Sequence, residues 1–207
     1  MASSQKKYYI SDLHFMSALD IDSIKPDNLE IIQAINNKVS YNDKLYILGD
    51  LTSSSSNPLG LLVKLLPLIV CKNIYVIQGN HDEPRVLDAL VEMKLIKNWT
   101  PACKLVKDEA FGAEISLGLS HYPIVDFYAV PETTANLHGH THNNCFIKLP
   151  HMFDVSLEAY KEPVTFEELL SKKYGYNANP LSEYEAYNRA FTREYENLCK
   201  TMDAVWL

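Results

Sequence analysis

Three times in its first half the chain repeats one pattern: a short apolar run of β character, a polar cluster, then a stretch with helical spacing. The runs fall at residues 7–11, 44–48 and 74–78. The helical stretches fall at 28–39, 59–66 and 83–93. In the first, Leu29, Ile31, Ile32, Ile35 and Val39 recur at helical steps. In the last, Pro84 takes a tolerated first-turn position. A βαβαβα order demands a parallel sheet with crossover helices. In such a sheet, ligands collect outside the carboxyl ends of the strands.

The second half reads differently. Residues 104–107, 114–119, 135–138, 145–149 and 153–157 look like short strands joined by turns, which predicts a second, more antiparallel sheet facing the first. Thr165 followed by Glu168 is a capping box that opens a short helix. After a turn-rich segment at 174–180, Ser182 and Glu185 form another, and its helix carries Tyr184, Tyr187, Phe191, Leu198 and Met202. That apolar stripe is expected to pack on its own domain, a dimer contact or an active-site lid being the alternative.

A chain of 207 residues suits one domain with a substantial core. With 19 basic and 26 acidic side chains the formal net charge is −7, which opposes non-specific binding to nucleic acid or an anionic membrane. The first ten residues hold no apolar leader core. The most apolar stretch, 59–71, is too short to span a bilayer and carries Lys64 and Pro67. A soluble, cytoplasmic protein is expected. Cys71, Cys103, Cys145 and Cys199 form no CxxC, so neither a disulfide framework nor a thiolate zinc site is expected.

Five polar clusters fall directly after expected strands: Asp12-Leu13-His14, Gly49-Asp50, Gly79-Asn80-His81-Asp82, His121 within Ser120-His121-Tyr122-Pro123, and Gly139-His140-Thr141-His142. They hold five of the seven histidines at strand ends where distant segments converge, His138 and His151 being the others. In Asp12-x-His14, positions i and i+2 of an extended strand face one way and can hold one ion together. His140-x-His142 can do the same, or give one imidazole to each of two ions. Imidazole, carboxylate and carboxamide donors suit Mn, Fe or Zn better than thiolate chemistry. Gly-Asp is weak alone, but Gly-Asn-His-Asp arises by chance roughly once in a thousand chains of this length.

The ordered set DxH, GD, GNHD, a lone His and GHTH resembles the calcineurin-like metallophosphoesterases, in particular small single-domain bacterial and phage members. The resemblance covers roughly residues 6–172. It implies a four-layer αββα sandwich of two mixed β-sheets flanked by helices, with an extra C-terminal helix. Residues 1–172 would form the catalytic domain and 173–207 a helical extension packed on it. It also implies two divalent metal ions, Mn by preference, with Fe, Zn or Ni as alternatives. Asp12, His14, Asp50 and His142 would hold the first ion; Asp50, Asn80, His121 and His140 would hold the second, with Asp50 bridging. A metal-bridging hydroxide would attack phosphorus in line.

By the same resemblance His81 is no ligand but the general acid beside the leaving group. Many relatives orient this histidine with an Asp three residues after the bridging one. Here that position is Ser53, and Asp82 is the stand-in by proximity in sequence. Protein Ser/Thr phosphatases of the superfamily follow the bridging Asp with Asp-Arg; here Leu51-Thr52 follow, so bidentate phosphate clamping of that type is absent. The expected substrate is a small phosphodiester or nucleotide. The alternatives are a nuclease and a non-catalytic scaffold of the same fold. His138 is expected to be structural, His151 to lie on the surface, Arg85 to be solvated, and Tyr122 to line the pocket or pack.

Overall fold

The computed structural model describes residues 5–16, 26–53, 55–124, 135–146 and 149–174, together with Ser182 and Tyr184. Strands β1 (Lys7–Ile10), β2 (Lys44–Ile47), β3 (Asn73–Ile77) and β4 (Asn98–Thr100) form one sheet in that order, parallel throughout. Alternation along the strands splits their side chains between two cores. Tyr8, Ile10, Leu45, Ile47, Ile74 and Val76 pack with the apolar stripes of α1 (Pro26–Lys38), α2 (Pro58–Leu65) and α3 (Pro84–Glu92). Tyr9, Tyr46, Leu48 and Ile77 belong to the other core, with Ile115, Leu117, Leu119 and Leu137 of the second sheet.

That second sheet runs β5 (Cys103–Ala110), β6 (Ala113–Ser120), β7 (Ala135–His138), β8 (Met152–Asp154). β5 and β6 make an antiparallel hairpin through Phe111 and Gly112, both at positive φ. The β6–β7 and β7–β8 pairs are parallel, so the sheet is mixed and less antiparallel than short strands joined by turns predict. Strand patterns carry no record of the direction in which a long connection returns. The two sheets are joined by a tyrosine ladder. Tyr9, Tyr46 and Tyr75 stack at centroid spacings of 5.6 and 5.1 Å, and the Tyr9 hydroxyl donates to Asp108 Oδ2 at 2.6 Å.

Helix α5 (Phe166–Tyr174) starts with the expected capping box. The Thr165 amide donates to Glu168 Oε2 at 2.8 Å, and the Glu168 amide donates to Thr165 Oγ1 at 3.2 Å. Its Phe166, Leu169 and Leu170 enter the inter-sheet core. Tyr184 is fully buried against Phe153, Phe166 and Tyr174. The rest of the helix expected after Ser182 lies outside the described residues. Helices therefore flank two four-stranded sheets, and no helix of the described residues is long and apolar enough to cross a membrane.

Some expectations are corrected. Cys145, Phe146 and Leu149 are not in a strand, and the Phe146 ring is wholly exposed. The strand expected at 153–157 ends at Asp154, Ser156 bridges to Ser11, and the short helix α4 (Leu157–Tyr160) takes over. β4 has only three residues and left no period to detect. His151 is buried, not surface.

Candidate metal centre

Every cluster singled out above lies just beyond a strand end, and backbone hydrogen bonds splice the clusters together. The Asp12 amide donates to the Gly49 carbonyl at 3.1 Å, and the His14 amide to the Asp50 carbonyl at 3.0 Å. The His140 amide donates to both oxygens of Asp12, at 3.0 and 3.2 Å. The His81 amide donates to Asp50 Oδ1 at 3.0 Å. Gly139 permits one of these approaches, since a Cβ there would overlap Ser11 Oγ and Asp12 Oδ2.

The side chains do not converge by strand alternation. β1 stops at Ile10, while Asp12 has φ 59° and His14 φ 43°. Asp50, His140 and His142 are also left-handed, at 56°, 67° and 47°. Such backbone costs non-glycine residues about 1–3 kcal/mol each, and it gathers where a site requires it. The expected Asp12/His14 pairing is therefore present for a different reason: two left-handed kinks, not an extended i, i+2 repeat.

Two groups of donor atoms result. Asp12, His14 and His142 form one; Asp12, Asp50 and His121 form the other, with the ligand atoms in each within 4.8 Å of one another. Asp12 belongs to both. Asp50 Oδ2 lies 3.7 Å from His14 Nε2 and 3.5 Å from His121 Nε2, so it stands between histidines of the two groups. The His14 and His142 rings stack at 5.0 Å, each with Nε2 3.9 Å from Asp12 Oδ1. Asn80 reaches the centre through Oδ1, 2.9 Å from His121 Nε2. The His140 ring sits 5.1 Å from that of His121 but joins neither close group.

The donor chemistry fits a divalent cation. His14 Nε2 is buried with no hydrogen-bond partner, in a setting where a buried nitrogen normally has one. His121 Nδ1–H donates to the Leu48 carbonyl at 2.8 Å, which leaves the Nε2 lone pair facing the Asn80 carbonyl oxygen. Two acceptors in that relation repel unless a proton or a metal ion lies against both. Burial pushes the Asp12 carboxyl above its usual value, opposed by the Ser11 hydroxyl and by His121. Burial and the neighbouring His121 hold His140 below the usual imidazole value, which favours the neutral, ligating form.

His81 stands apart from both groups. It is exposed, and its Nε2 is 4.0 Å from Asp50 Oδ2. Asp82 does not orient it. Asp82 Oδ2 accepts the amides of Asp50 and Gly79 and Oδ1 accepts that of Leu51, all at 2.9 Å. A carboxylate so engaged by three backbone donors ties the β2 and β3 exits together, while the His81 ring packs edge-on against that of His14 at 5.4 Å. His138 is buried and donates Nδ1–H to the Gly139 carbonyl, as a structural histidine does. Tyr122 is half exposed and sets its ring 4.5 Å from that of His140. Two acidic residues outside every motif, Asp154 and Glu158, also reach the loop that bears His142. Asp154 Oδ2 accepts Thr141 Oγ1–H at 2.6 Å and the Asn143 amide at 3.0 Å, and Glu158 Oε1 accepts His142 Nδ1–H at 2.7 Å. Neither stands in a motif, so only the fold brings them here.

The sequence profile of the calcineurin-like phosphoesterases matches residues 8–180. No curated protein matches the chain. A solved protein of unknown function from Aquifex aeolicus is similar at 21% identity and TM-score 0.56, over 78% of this chain and 96% of that one. A predicted phosphoesterase from Streptococcus pneumoniae TIGR4 is 16% identical, TM-score 0.37, over 73% and 71% of the two chains. A novel archaeal phosphodiesterase is 16% identical, TM-score 0.43, over 73% and 82%. The Aquifex likeness is one of fold alone.

Proposed function

The chain belongs to the calcineurin-like phosphoesterase family, and from that membership we propose that it is a dinuclear metal-dependent hydrolase of a small phosphodiester or nucleotide. The observation that carries this reading is the buried, unpartnered His14 Nε2 set between the carboxylates of Asp12 and Asp50. Asp12, His14 and His142 would hold one divalent ion, and Asp50, Asn80, His121 and His140 the other; Asp50 Oδ2, set between His14 and His121, would be common to both, with Asp12 close to the two donor groups. Manganese suits this donor set, as do iron, zinc and nickel. When bound, the ions supply Lewis acidity toward phosphate oxygens and bring the pKa of water toward neutrality.

The chain's own groups do the rest. Asp50 is fixed by its amide on Asp82 and by the His81 amide on its Oδ1, which leaves Oδ2 as its open ligand atom. His81 is on the exposed side, where its imidazolium can give a proton to a leaving alkoxide that would otherwise be a poor group. Tyr122 offers a flat face beside His140 for a base or aryl group. Among the described residues the one arginine, Arg85, is exposed on α3, so no guanidinium fork grips the phosphate there. The net charge of −7 weighs against a nucleic-acid polymer as substrate.

The test is turnover of bis-p-nitrophenyl phosphate by Mn²⁺-loaded protein, within a panel of phosphomonoesters, linear diesters and cyclic nucleotides. Chelator-sensitive cleavage of at least one diester or nucleotide is expected. Silence across the panel by protein that has taken up metal would overturn the enzymatic reading in favour of a scaffold.

A further inference from the structure

Helix α4 is anchored to the strand exit that carries Asp12. The Leu157 amide donates to the Ser11 carbonyl at 3.0 Å, Ser11 and Ser156 form a parallel bridge, and the Ser156 amide donates to Asp154 Oδ1 at 2.8 Å. From this anchor Glu158 reaches His142 Nδ1. His142 and Asn143 are consecutive left-handed residues, and Asp154 holds Thr141 and Asn143, the residues before and after His142 in the chain. The loop that bears His142 is therefore gripped at three successive residues by the segment running from β8 into α4.

We propose that Glu158 is the positioning residue of one of the two metal positions, that of Asp12, His14 and His142. A carboxylate on Nδ1 fixes the tautomer whose lone pair is on Nε2, and it sets the ring plane. That nitrogen is the one aimed at Asp12 Oδ1, in a ring stacked on His14. The other position has its own orienting group, the Leu48 carbonyl on His121 Nδ1. Loss of Glu158 should therefore weaken one position and spare the other. This inference rests on the dinuclear reading above. Glu158 is itself exposed on a short helix, so its replacement removes no core contact.

The experiment is Mn²⁺ titration of the full chain, followed by calorimetry and by the electron paramagnetic resonance signal of free Mn²⁺. Glu158→Ala, Glu158→Gln and the unsubstituted chain are compared. Two sites are expected in the unsubstituted chain. In Glu158→Ala one of them should weaken 10–100-fold, the loss typical of removing such an outer partner, while the other keeps its affinity. In Glu158→Gln the amide oxygen still accepts Nδ1–H, and most of the affinity should return. Equal two-site uptake by Glu158→Ala and the unsubstituted chain overturns the role of Glu158 alone. A uniform loss at both sites overturns it too, since that marks general loosening of the fold. Absence of divalent-ion uptake by the unsubstituted chain overturns the dinuclear reading itself.

Discussion

The Asp82 carboxylate accepts the backbone amide of Asp50 at 2.9 Å, so one aspartate fixes the left-handed turn from which the other projects. With the Leu51 and Gly79 amides on the same carboxylate, two strand exits share one buried acceptor. Asp82→Ala leaves three buried donors unpaired, at about 1–3 kcal/mol for each such group. Urea unfolding in the presence of chelator should show a loss of at least ~3 kcal/mol. A loss below ~1 kcal/mol would mean that the turns hold without it.

His81 lies outside both donor groups. His81→Ala should lower kcat on a diester by about 10²–10⁴-fold, the range of a single general acid, and leave Mn²⁺ stoichiometry unchanged. The comparison is steady-state kinetics beside metal titration on the same preparation. If uptake fell in step with turnover, His81 would be a ligand instead.

Gly139→Ala puts a methyl group where Ser11 Oγ and Asp12 Oδ2 already sit. The His140 amide must then leave the Asp12 carboxylate. Mn²⁺ affinity should fall by at least tenfold, together with a lower melting temperature of the metal-free protein. Unchanged values in both would show that the loop can shift at no cost.

Much of this architecture is legible in the order of residues, because its signals are local. The first three strands and their helices follow from periodicity, and the Thr165–Glu168 box is read directly and found in place. The polar clusters are visible because each sits at a strand end within a few residues. What escapes depends on contacts across the fold. Glu158 and Asp154 have no motif, and they matter only because Ser156 pairs with Ser11. The left-handed φ of Asp12 and His14 is likewise invisible in a run that continues a β pattern. The bracing geometry of Asp82 is hidden for the same reason: adjacency to His81 in sequence says nothing of the three amides that its oxygens accept.

The capping box gives a direct stability test away from the centre. Thr165→Ala removes the acceptor for the Glu168 amide and should destabilise the protein by about 1 kcal/mol in denaturant unfolding. Glu168→Gln should cost less at the cap, but it removes the negative partner 3.0 Å from Lys38 Nζ. Its effect should shrink with added salt, because that pair is partly exposed.

Alkaline pH should find the tyrosine ladder. Burial pushes the Tyr46 hydroxyl up to about 12, and its neighbours Tyr75 and Asp108 add to the effect. A phenol whose folded value exceeds its unfolded value of about 10 binds its proton more tightly in the native state. Its contribution is thus complete below pH ~10 and is lost as pH rises toward 12, by an amount on the order of 2–3 kcal/mol. Phenolate absorbance at 295 nm should rise together with loss of helical circular dichroism in that window. Full phenolate formation with the fold intact near pH 10 would refute the burial argument.

The kinks that aim Asp12, Asp50 and His142 are braced by Gly49, Asp82, Asp154 and Glu158, all groups of the chain itself. Turns braced that way need little rearrangement to take a divalent ion, so little ordering entropy would oppose its entry. The metal-free protein should stay folded with these side chains held in left-handed turns. Variants that relieve the strain of those turns, with glycine in place of His140 or His142, stand to melt at higher temperature even as they lose their chemistry.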